Sequence, residues 1–256
     1  MANSSNYFAH HTAAERYAHG RPDVHPTIIR RIREFTGGMR FSWALDAGCG
    51  TGQSTRAVAE IADRVVGIDI SAEMLAQAIP GPTTQYQQSS AESLPFANAS
   101  FDLVTVGLAF HWLDQKRFLT EARRVLRDDG WLVIYNSAFM GKLAEEPAFG
   151  PWYREVYLLR YPTPPRSQAA VSEEFVGPFR FTFGGKDTLT QGIAMSRDQC
   201  VSYLLTQSNI IAAVERGSER LEAVAAFLSD SVVAFFRDAA RTMQFQSDIV
   251  FLCARP

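Results

Sequence analysis

The sequence has few of the features that mark secreted, metal-binding or membrane-spanning proteins. It contains three cysteines among 256 residues. They are too few and too widely spaced to suggest a disulfide framework or a zinc site. No apolar run approaches the roughly 20 residues that a membrane-spanning helix needs. The amino-terminal stretch is polar and lacks the apolar core of a signal peptide. We therefore expect a soluble, cytoplasmic protein without a bound metal.

The chain also lacks an excess of charge of either sign. It has 25 Lys and Arg residues against 27 Asp and Glu residues, for a net charge of -2. The chain therefore lacks the excess of positive charge that is typical of proteins that bind nucleic acid or an anionic membrane surface. The expected partner is a small molecule, and the chain is expected to be a monomer or a homodimer. Hydrophobic residues make up 46% of the sequence, enough to bury one sizeable core.

The first half of the chain alternates predicted strands with predicted helices. This alternation is typical of βαβ units with a parallel sheet and right-handed crossovers. Strands are predicted at 43–46, 64–70, 86–88, 101–108 and 131–135, and helices at 26–35, 54–61, 71–78 and 118–126.

The second half is less regular. Prolines between residues 161 and 166 predict an exposed loop. Helices are predicted at 201–205 and 221–236, and strands at 180–183 and 249–253. The sequence predicts an amino-terminal helical cover segment (1–37), a cofactor-binding core (38–140), and a substrate-side helical insertion followed by strands that complete the sheet (141–256).

A glycine-rich loop follows the first of these strands. Asp46 precedes Gly48, Gly50 and Gly52, and glycine lets a backbone adopt unusual angles and approach a ligand closely. N–H groups at the start of the next helix can bind an anion. The third glycine comes one residue earlier than in the dinucleotide fingerprint G-x-G-x-x-G. The loop therefore suits a ligand with an amino-acid tail, which Asp46 would orient while it holds the loop.

Two further loops extend this pattern. Asp69 ends the next strand about 20 residues after the loop, where an acid accepts hydrogen bonds from ribose hydroxyls; the alternative is that it caps the following helix. The segment 89–96 falls where a third loop would meet the same site. Backbone N–H groups of Ala91 or Glu92 would face an adenine edge. The alternative is a surface loop with Leu94 and Phe96 packed into the core.

Five segments stand in an order and spacing typical of one family: ALDAGCGTGQST, VVGIDIS, SSAESLPF, FDLVTVGLAFHWLD and EARRVLRDDGWLVIY. They resemble class I methyltransferases that use S-adenosylmethionine (SAM), of the methyltransferase type 11 group. The segment YAHGRPDVHP is similar to the one that precedes the core in trans-aconitate methyltransferase-like enzymes. The resemblance implies an α/β fold with a Rossmann-like, mostly parallel seven-stranded sheet flanked by helices, an antiparallel C-terminal edge strand and a helical cap.

The resemblance also implies a set of cofactor-binding residues, with S-adenosylhomocysteine (SAH) as the product of the reaction. They are Asp46, Gly48, Gly50, Thr51 and Gln53 at the glycine loop, Asp69, Ile70 and Met74 at the ribose and adenine, Ser90, Ala91 and Glu92 at the adenine edge, Gly107 and Leu108 beside the methionine portion, and Tyr17 and Arg21 in a segment that closes over the cofactor. Two positions depart from the family pattern. Many members have Asp or Asn where Ser90 stands, and Tyr is frequent where His25 stands.

The expected reaction is an in-line methyl transfer to a small molecule at oxygen, with a carboxylate as one candidate acceptor; the alternative is transfer to carbon or nitrogen. Such a transfer mostly requires alignment and a water-poor site, and a base only if the acceptor must lose a proton. His111 is the candidate base because histidine titrates near neutrality; the alternative is a histidine that only holds its loop. Two other functions stay open: a non-catalytic module that binds SAM or SAH, and an NAD-dependent oxidoreductase.

Overall fold

The computed structural model describes residues 11–164, 171–237 and 239–256. The chain divides into two compact units. The first, called here the helical unit, comprises Met1–Pro22, Ala138–Pro165 and Thr190–Gln246. The second, called the core unit, comprises Asp23–Ser137, Arg166–Leu189 and Ser247–Pro256. The three-part division expected from the sequence stays a prediction.

Strands and helices alternate through the first half of the chain. The strands are β1 (Phe41–Ala47), β2 (Ala62–Asp69), β3 (Thr84–Gln88), β4 (Phe101–Gly107), β5 (Leu126–Leu143), β6 (Phe181–Met195) and β7 (Arg241–Ala254). The helices are α1 (His11–Gly20), α2 (His25–Phe35), α3 (Gln53–Val58), α4 (Ala72–Leu75), α5 (Gln115–Val125), α6 (Phe149–Trp152), α7 (Leu158–Arg160), α8 (Glu173–Val176), α9 (Arg197–Leu205), α10 (Ser208–Glu215) and α11 (Leu221–Phe236). A π-helical segment covers Tyr153–Tyr157, and 3₁₀ turns cover Phe110–Trp112 and Gly177–Phe179.

The strands form a seven-stranded sheet in the order β3-β2-β1-β4-β5-β7-β6. Strand β1 pairs in parallel with β2 and β4, β2 with β3, and β4 with β5. The sheet is mostly parallel, with antiparallel strands towards one edge, and this confirms the expected α/β fold class. The C-terminal strand β7 lies one position in from that edge, between β5 and β6.

Burial explains why the central strands form. Residues 44–47 of β1 and 103–106 of β4 are buried without alternation, as expected for strands covered on both faces. In the parallel register Asp46 lies beside Gly67 on one side and Thr105 on the other. The carboxyl ends of β1, β2 and β4 therefore lie at one sheet edge, and the motif loops begin there.

Helix α2 illustrates how local signals set an element of the core unit. It carries Pro26 in its first turn, where a missing backbone N–H costs nothing. It buries Ile28, Ile29 and Ile32. Phe35 stacks on Phe251 of β7 with ring centroids 3.7 Å apart. The sequence prediction for this helix is confirmed.

In the helical unit, α9 packs against α1 and α11. Helix α11 buries a stripe of Val224, Leu228, Val232 and Phe236, each four residues from the next, which places them on one helix face. Rings of five side chains form an aromatic cluster, composed of Phe139, Phe149, Tyr153, Tyr203 and Phe245.

Several element boundaries differ from the sequence prediction. The helix expected at 54–61 is α3, which ends at Val58, and the one expected at 71–78 is the single-turn α4. The strands expected at 131–135, 180–183 and 249–253 are the much longer β5, β6 and β7. Helix α10 was not predicted, and α1 was expected only as part of the helical cover segment 1–37, without bounds of its own.

Among the described residues, none of the helices combines the length and the apolar character needed to cross a bilayer. The cytoplasmic location stays a prediction from the sequence.

Candidate cofactor site

The glycine loop leaves β1 at the carboxyl edge of the sheet. Gly48 and Gly50 have φ angles of 68° and 54°, a region that side chains disfavour. A Cβ at Gly48 would lie 2.6 Å from the Cβ of Ala109, and one at Gly50 would lie 2.9 Å from Cε of Met74. Close approach therefore requires glycine at position 48. At position 50 the methionine end could move aside, and glycine is favoured there by the backbone angle.

Asp46 is the fully buried carboxylate at the end of β1. It accepts hydrogen bonds from the hydroxyls of Ser54 (2.5 Å), Thr55 (2.7 Å) and Thr105 (2.9 Å). Burial raises its pKa, and the three hydroxyls act in the opposite direction. These bonds tie β1 to α3 and β4, so the carboxylate holds the loop as expected. Its role towards a ligand tail stays a prediction.

The neighbouring residues of the loop begin a short helix. Thr51 is buried, and its carbonyl accepts a hydrogen bond from Arg56 at 3.4 Å. Gln53 is the first residue of α3, after Gly52 in a left-handed conformation. The helix has only six residues, so the glycine loop itself, rather than a long helix dipole, shapes this part of the site.

Asp69 joins the glycine loop to the turn after β2. Its Oδ2 accepts the N–H of Gly50 at 2.8 Å and its Oδ1 accepts the N–H of Ser71 at 2.9 Å. Burial raises the pKa of Asp69, while the backbone N–H groups lower it. Helix α4 is capped by Ser71, whose Oγ accepts the N–H of Met74 at 3.2 Å. The alternative that Asp69 is the helix cap is therefore wrong; its ribose contact stays a prediction.

Two apolar side chains flank Asp69 in different environments. Ile70 is 62% exposed, which is unusual for an isoleucine that directly follows a buried strand. Met74 is buried beside Gly50. Both are predicted to contact the adenine.

The third loop is held by its own carboxylate. Ser90 Oγ donates to Glu92 at 2.5 Å, and the N–H of Glu92 donates to Ser90 Oγ at 3.1 Å. The other oxygen of Glu92 accepts the N–H of Asp114 at 3.0 Å. Ala91 and Leu94 are buried in the hydrophobic core, and Phe96 packs against it. The core-packing alternative for Leu94 and Phe96 is thus confirmed; the adenine contact stays a prediction.

The end of β4 carries an unusual backbone. Leu108 has a φ of 59°, an uncommon conformation for a non-glycine residue, and such strain is concentrated at functional sites. Its N–H donates to the carbonyl of Tyr135 at 2.9 Å. A Cβ at Gly107 would lie within 2.3 Å of the Tyr135 ring, so glycine is required there by packing.

Comparisons with known proteins connect this geometry to a family. Residues 45–134 match the family model described as a methyltransferase domain. This matched segment is called here the methyltransferase domain. The match begins in β1 and ends in β5, so it covers each of the three loops described above.

Individual proteins support this assignment. A malonyl-[acyl-carrier protein] O-methyltransferase of Hamiltonella defensa subsp. Acyrthosiphon pisum (strain 5AT) is 36% identical over 117 residues. That match covers 45% of this chain and 45% of that relative, less than half of each protein.

Solved structures extend the likeness to most of the fold. The structure of a proposed type II methyltransferase from Anaeromyxobacter dehalogenans has a TM-score of 0.68 at 25% identity, covering 92% of this chain and 97% of that chain. Phosphoethanolamine N-methyltransferase 2 of Haemonchus contortus, solved in complex with S-adenosyl-L-methionine, shares the fold with a TM-score of 0.54 at 18% identity, covering 100% of this chain and 60% of that chain.

Tyr135, the residue directly after the methyltransferase domain, takes part in a contact that the sequence did not predict. Its hydroxyl lies 2.9 Å from Nδ1 of His25, which precedes the domain in the chain. Both side chains are buried. Burial lowers the pKa of His25 to about 4; the charge of Arg56 adds to this shift, and that of Asp23 opposes it. The two residues are 110 positions apart, so no local pattern could have revealed the pair.

His111 lies in the methyltransferase domain, in the 3₁₀ turn that follows β4. It is half-buried, and its ring centroid is 4.9 Å from that of Trp112. The turn places it at the sheet edge from which the motif loops leave. Its role as a base and its role as a loop-holding residue both stay predictions.

Two predicted site residues lie outside the methyltransferase domain. Tyr17 and Arg21 belong to the helical unit, whereas all the others belong to the core unit. Arg21 donates to the carbonyl of Thr206 at 3.1 Å. Its guanidinium lies over the rings of Tyr17 and Tyr203, at 4.7 Å and 5.4 Å from the ring centroids. Their assignment to the cofactor stays a prediction.

In the part of the chain that the structure describes, no group of three or more His, Cys, Asp or Glu side chains is arranged to hold a metal ion.

Proposed function

We propose that this chain is a SAM-dependent methyltransferase that acts on a small molecule. The observation that carries the proposal is the bond between Asp69 and the N–H of Gly50. It fastens the glycine loop of β1 to the end of β2 inside a matched methyltransferase domain. A ligand that contacts both the glycine loop and a neighbouring acid can therefore bind at this one edge of the sheet, where the two are held together by a hydrogen bond.

The residues present fit a nucleoside with an amino-acid tail. The backbone angles at Gly48 and Gly50 disfavour side chains, and at Gly48 a side chain also has no room, so main chain alone forms this part of the loop. Asp69 is only partly exposed, and each of its oxygens already accepts one N–H. A carboxylate has about four acceptor positions, so capacity for ribose hydroxyls remains. Ile70, with most of its side chain in solvent, is placed to lie against a base.

With SAM bound, the site holds an activated methyl group whose transfer breaks the sulfur–carbon bond, forms a carbon–oxygen bond and leaves the electron pair on sulfur. The residues of the chain then act by alignment and by exclusion of water. We propose oxygen as the accepting atom, in line with the O-methyltransferase named among the relatives. A carboxylate acceptor requires no base; a phenol or alcohol would require one, and His111 is the candidate.

The test has two stages. Calorimetry of the whole chain with SAM, SAH and NAD separately should show binding of SAM and SAH and none of NAD. Incubation of the protein with labelled SAM and a metabolite extract, followed by mass identification, should then show a labelled product. NAD binding would favour an oxidoreductase. Binding of SAM without any labelled product would favour a non-catalytic module.

A further inference from the structure

A cleft of about 470 Å³ lies within the helical unit, and none of its lining residues is among those predicted to bind the cofactor. Its walls come from the end of β5, the segment that leads into α6, α6 itself, the π-helical segment and β7. Small molecules typically bind in clefts of roughly 300–1,000 Å³ that are lined by apolar residues and a few polar groups. Both kinds of residue are present here: Leu143, Pro147 and Pro151 are apolar, and Lys142, Glu146 and Arg154 are charged.

Contacts of the backbone hold the walls of this cleft in place. The N–H of Ala144 donates to the carbonyl of Thr242 on β7 at 2.9 Å. The carboxylate of Glu145 accepts the N–H of Thr242 at 2.9 Å and its hydroxyl at 2.7 Å. A Cβ at Gly150 would lie 3.7 Å from the carbonyl oxygen of Gly141, so α6 packs closely on the end of β5. The cleft is therefore largely preformed, which lowers the free-energy cost of binding a ligand there.

Two cationic side chains at this cleft have no partner. Within the part of the chain that the structure describes, neither Lys142 nor Arg154 pairs with a carboxylate or donates a hydrogen bond. Nη1 of Arg154 lies 3.4 Å from the position that a Cβ of Gly150 would occupy, and Gly150 lines the cleft. The guanidinium therefore lies against α6 at the wall of the cleft. Arg154 also belongs to the π-helical segment, a rare conformation that is frequent at functional sites.

The charges of the lining residues favour a ligand with one negative charge. Among the described residues that line the cleft, Glu146 is the one acid, against the two cations Lys142 and Arg154. Their sum is one positive charge, which suits a monoanion better than a dianion. The planar guanidinium of arginine matches the geometry of a carboxylate, and lysine acts as a point charge.

We propose that this cleft is a second ligand site, in which Arg154 and Lys142 bind the carboxylate of a small organic acid. Leu143, Pro147 and Pro151 contact the apolar body of the same ligand. The site goes beyond the proposed function and does not depend on it, because no residue assigned to the cofactor takes part.

The first test compares a charged probe with its uncharged analogue. Ligand-observed NMR titrations of the whole chain measure the affinities for 2-naphthoate and for 2-naphthamide, which share one apolar body. 2-Naphthoate should bind about tenfold more tightly, since each exposed charge pair contributes up to about fivefold and Glu146 opposes the two cations. Equal affinities for the two probes, or no binding of 2-naphthoate, would overturn the proposal.

Variants of the two cations locate the binding. Lys142→Met and Arg154→Met should each weaken 2-naphthoate binding about fivefold, the upper end for an exposed charge pair, and leave 2-naphthamide binding unchanged. Arg33→Met is the control, because it removes the same charge from an exposed position on α2, outside the cleft. It should leave 2-naphthoate binding unchanged. An equal loss in the control would show that the probe responds to net charge alone, which contradicts a site.

The acid of the cleft provides a test of opposite sign. Glu146→Gln removes the repulsion of the carboxylate and should strengthen 2-naphthoate binding about threefold. General damage to the fold cannot produce a gain in affinity, so this result would identify the cleft. An unchanged or weaker affinity would count against it. Failure of the chain to bind SAM would refute the proposed function and leave these results unaffected.

Discussion

The Asp69 carboxylate accepts hydrogen bonds from the backbone N–H groups of two segments that are separated along the chain, at Gly50 and at Ser71. One carboxylate therefore holds the glycine loop and the turn after β2 in a fixed relation. Hydrogen bonds to charged acceptors are about twice as strong as neutral ones. The loss of this side chain should be felt in the loop as well as in any ligand contact.

We expect Asp69→Ala to weaken SAM binding by about 1–3 kcal/mol, the range for hydrogen bonds to a charged group. Calorimetry with SAM measures the change. Asp63→Ala is the control, because Asp63 lies on the same strand but pairs with Arg40 at the exposed end. An unchanged SAM affinity in Asp69→Ala would remove Asp69 from the site.

Gly48 is required by the space around it as well as by its backbone angle. Gly48→Ala should destabilise the fold, because the added Cβ meets Ala109 at 2.6 Å and φ is 68°. Gly37→Ala separates the two causes, since φ there is 71° and nothing lies within 4 Å of the new Cβ. Urea denaturation should show a loss larger by about 1–3 kcal/mol for Gly48→Ala, the usual effect of overpacking. Equal losses would mean that only the backbone angle matters.

His111 provides a test of the acceptor class once an acceptor is known. If the acceptor must lose a proton, His111→Ala should lower kcat by about 100-fold or more, and the rate should recover at higher pH. If the acceptor is a carboxylate, kcat and its pH profile should stay close to those of the unaltered chain. A rate loss that pH does not relieve would favour the loop-holding role.

For single residues, the sequence predicts those site residues whose position follows from local spacing along the chain. The glycine loop and Asp69 are recognisable because spacing along the chain sets their relation to the strands. The pair of His25 and Tyr135 is not, because it depends on the packing of α2 against the sheet. His25 could be noticed only as a departure from the family pattern.

Among the elements, α9 carries the most complete start signal. Ser196 accepts the N–H of Gln199 at 3.2 Å, and the Gln199 side chain accepts the N–H of Ser196 at 2.8 Å. This reciprocal capping box satisfies two N–H groups that a helix start otherwise leaves without partners.

Ser196→Ala should lower the free energy of unfolding by about 1 kcal/mol, as is typical for the loss of a helix cap. Ser202→Ala is the matched control, because Ser202 is exposed within the same helix, and alanine favours helix interiors. Chemical denaturation of both variants measures the difference. A loss in Ser202→Ala equal to that in Ser196→Ala would show that the cap contributes nothing.

Element boundaries were predicted less well than element identity, for physical reasons. Helix α3 ends early because the N–H groups of Glu60 and Ile61 bond three residues back, to Ala57 and Val58, which tightens the chain into a turn. Strand β5 begins at Leu126 because Leu126 already pairs with Phe101, before a shift in register that contains Asp129 with its φ of 62°. The boundary of a strand thus depends on its pairing with a strand that is distant in the sequence. Hydrophobic periodicity gives no information about that pairing.

For the whole molecule, the buried His25 links stability to pH. Its pKa is about 4 when folded and 6.5 when unfolded, so the unfolded chain binds the extra proton between these values. Stability contributed by neutral His25 is therefore present above pH 6.5 and is lost as the pH falls towards 4. Asp46 and Asp69, whose pKa values are raised, contribute in the opposite direction.

We expect the unfolding free energy to fall by about 2 kcal/mol more between pH 7 and pH 5 in the unaltered chain than in His25→Asn. The variant keeps both aspartates, so the difference isolates the histidine. Urea denaturation at the two pH values gives the measurement. Parallel curves for the two proteins would show that His25 is not buried as a neutral group.

The fit of Tyr135 over Gly107 also constrains how this protein can change over evolutionary time. A side chain gained at position 107 would collide with the tyrosine ring, and a smaller residue at 135 would leave a void beside the strand. Neither position can be exchanged alone without harm. Homologous chains should therefore show these two positions varying together, with glycine at the first wherever an aromatic ring occupies the second.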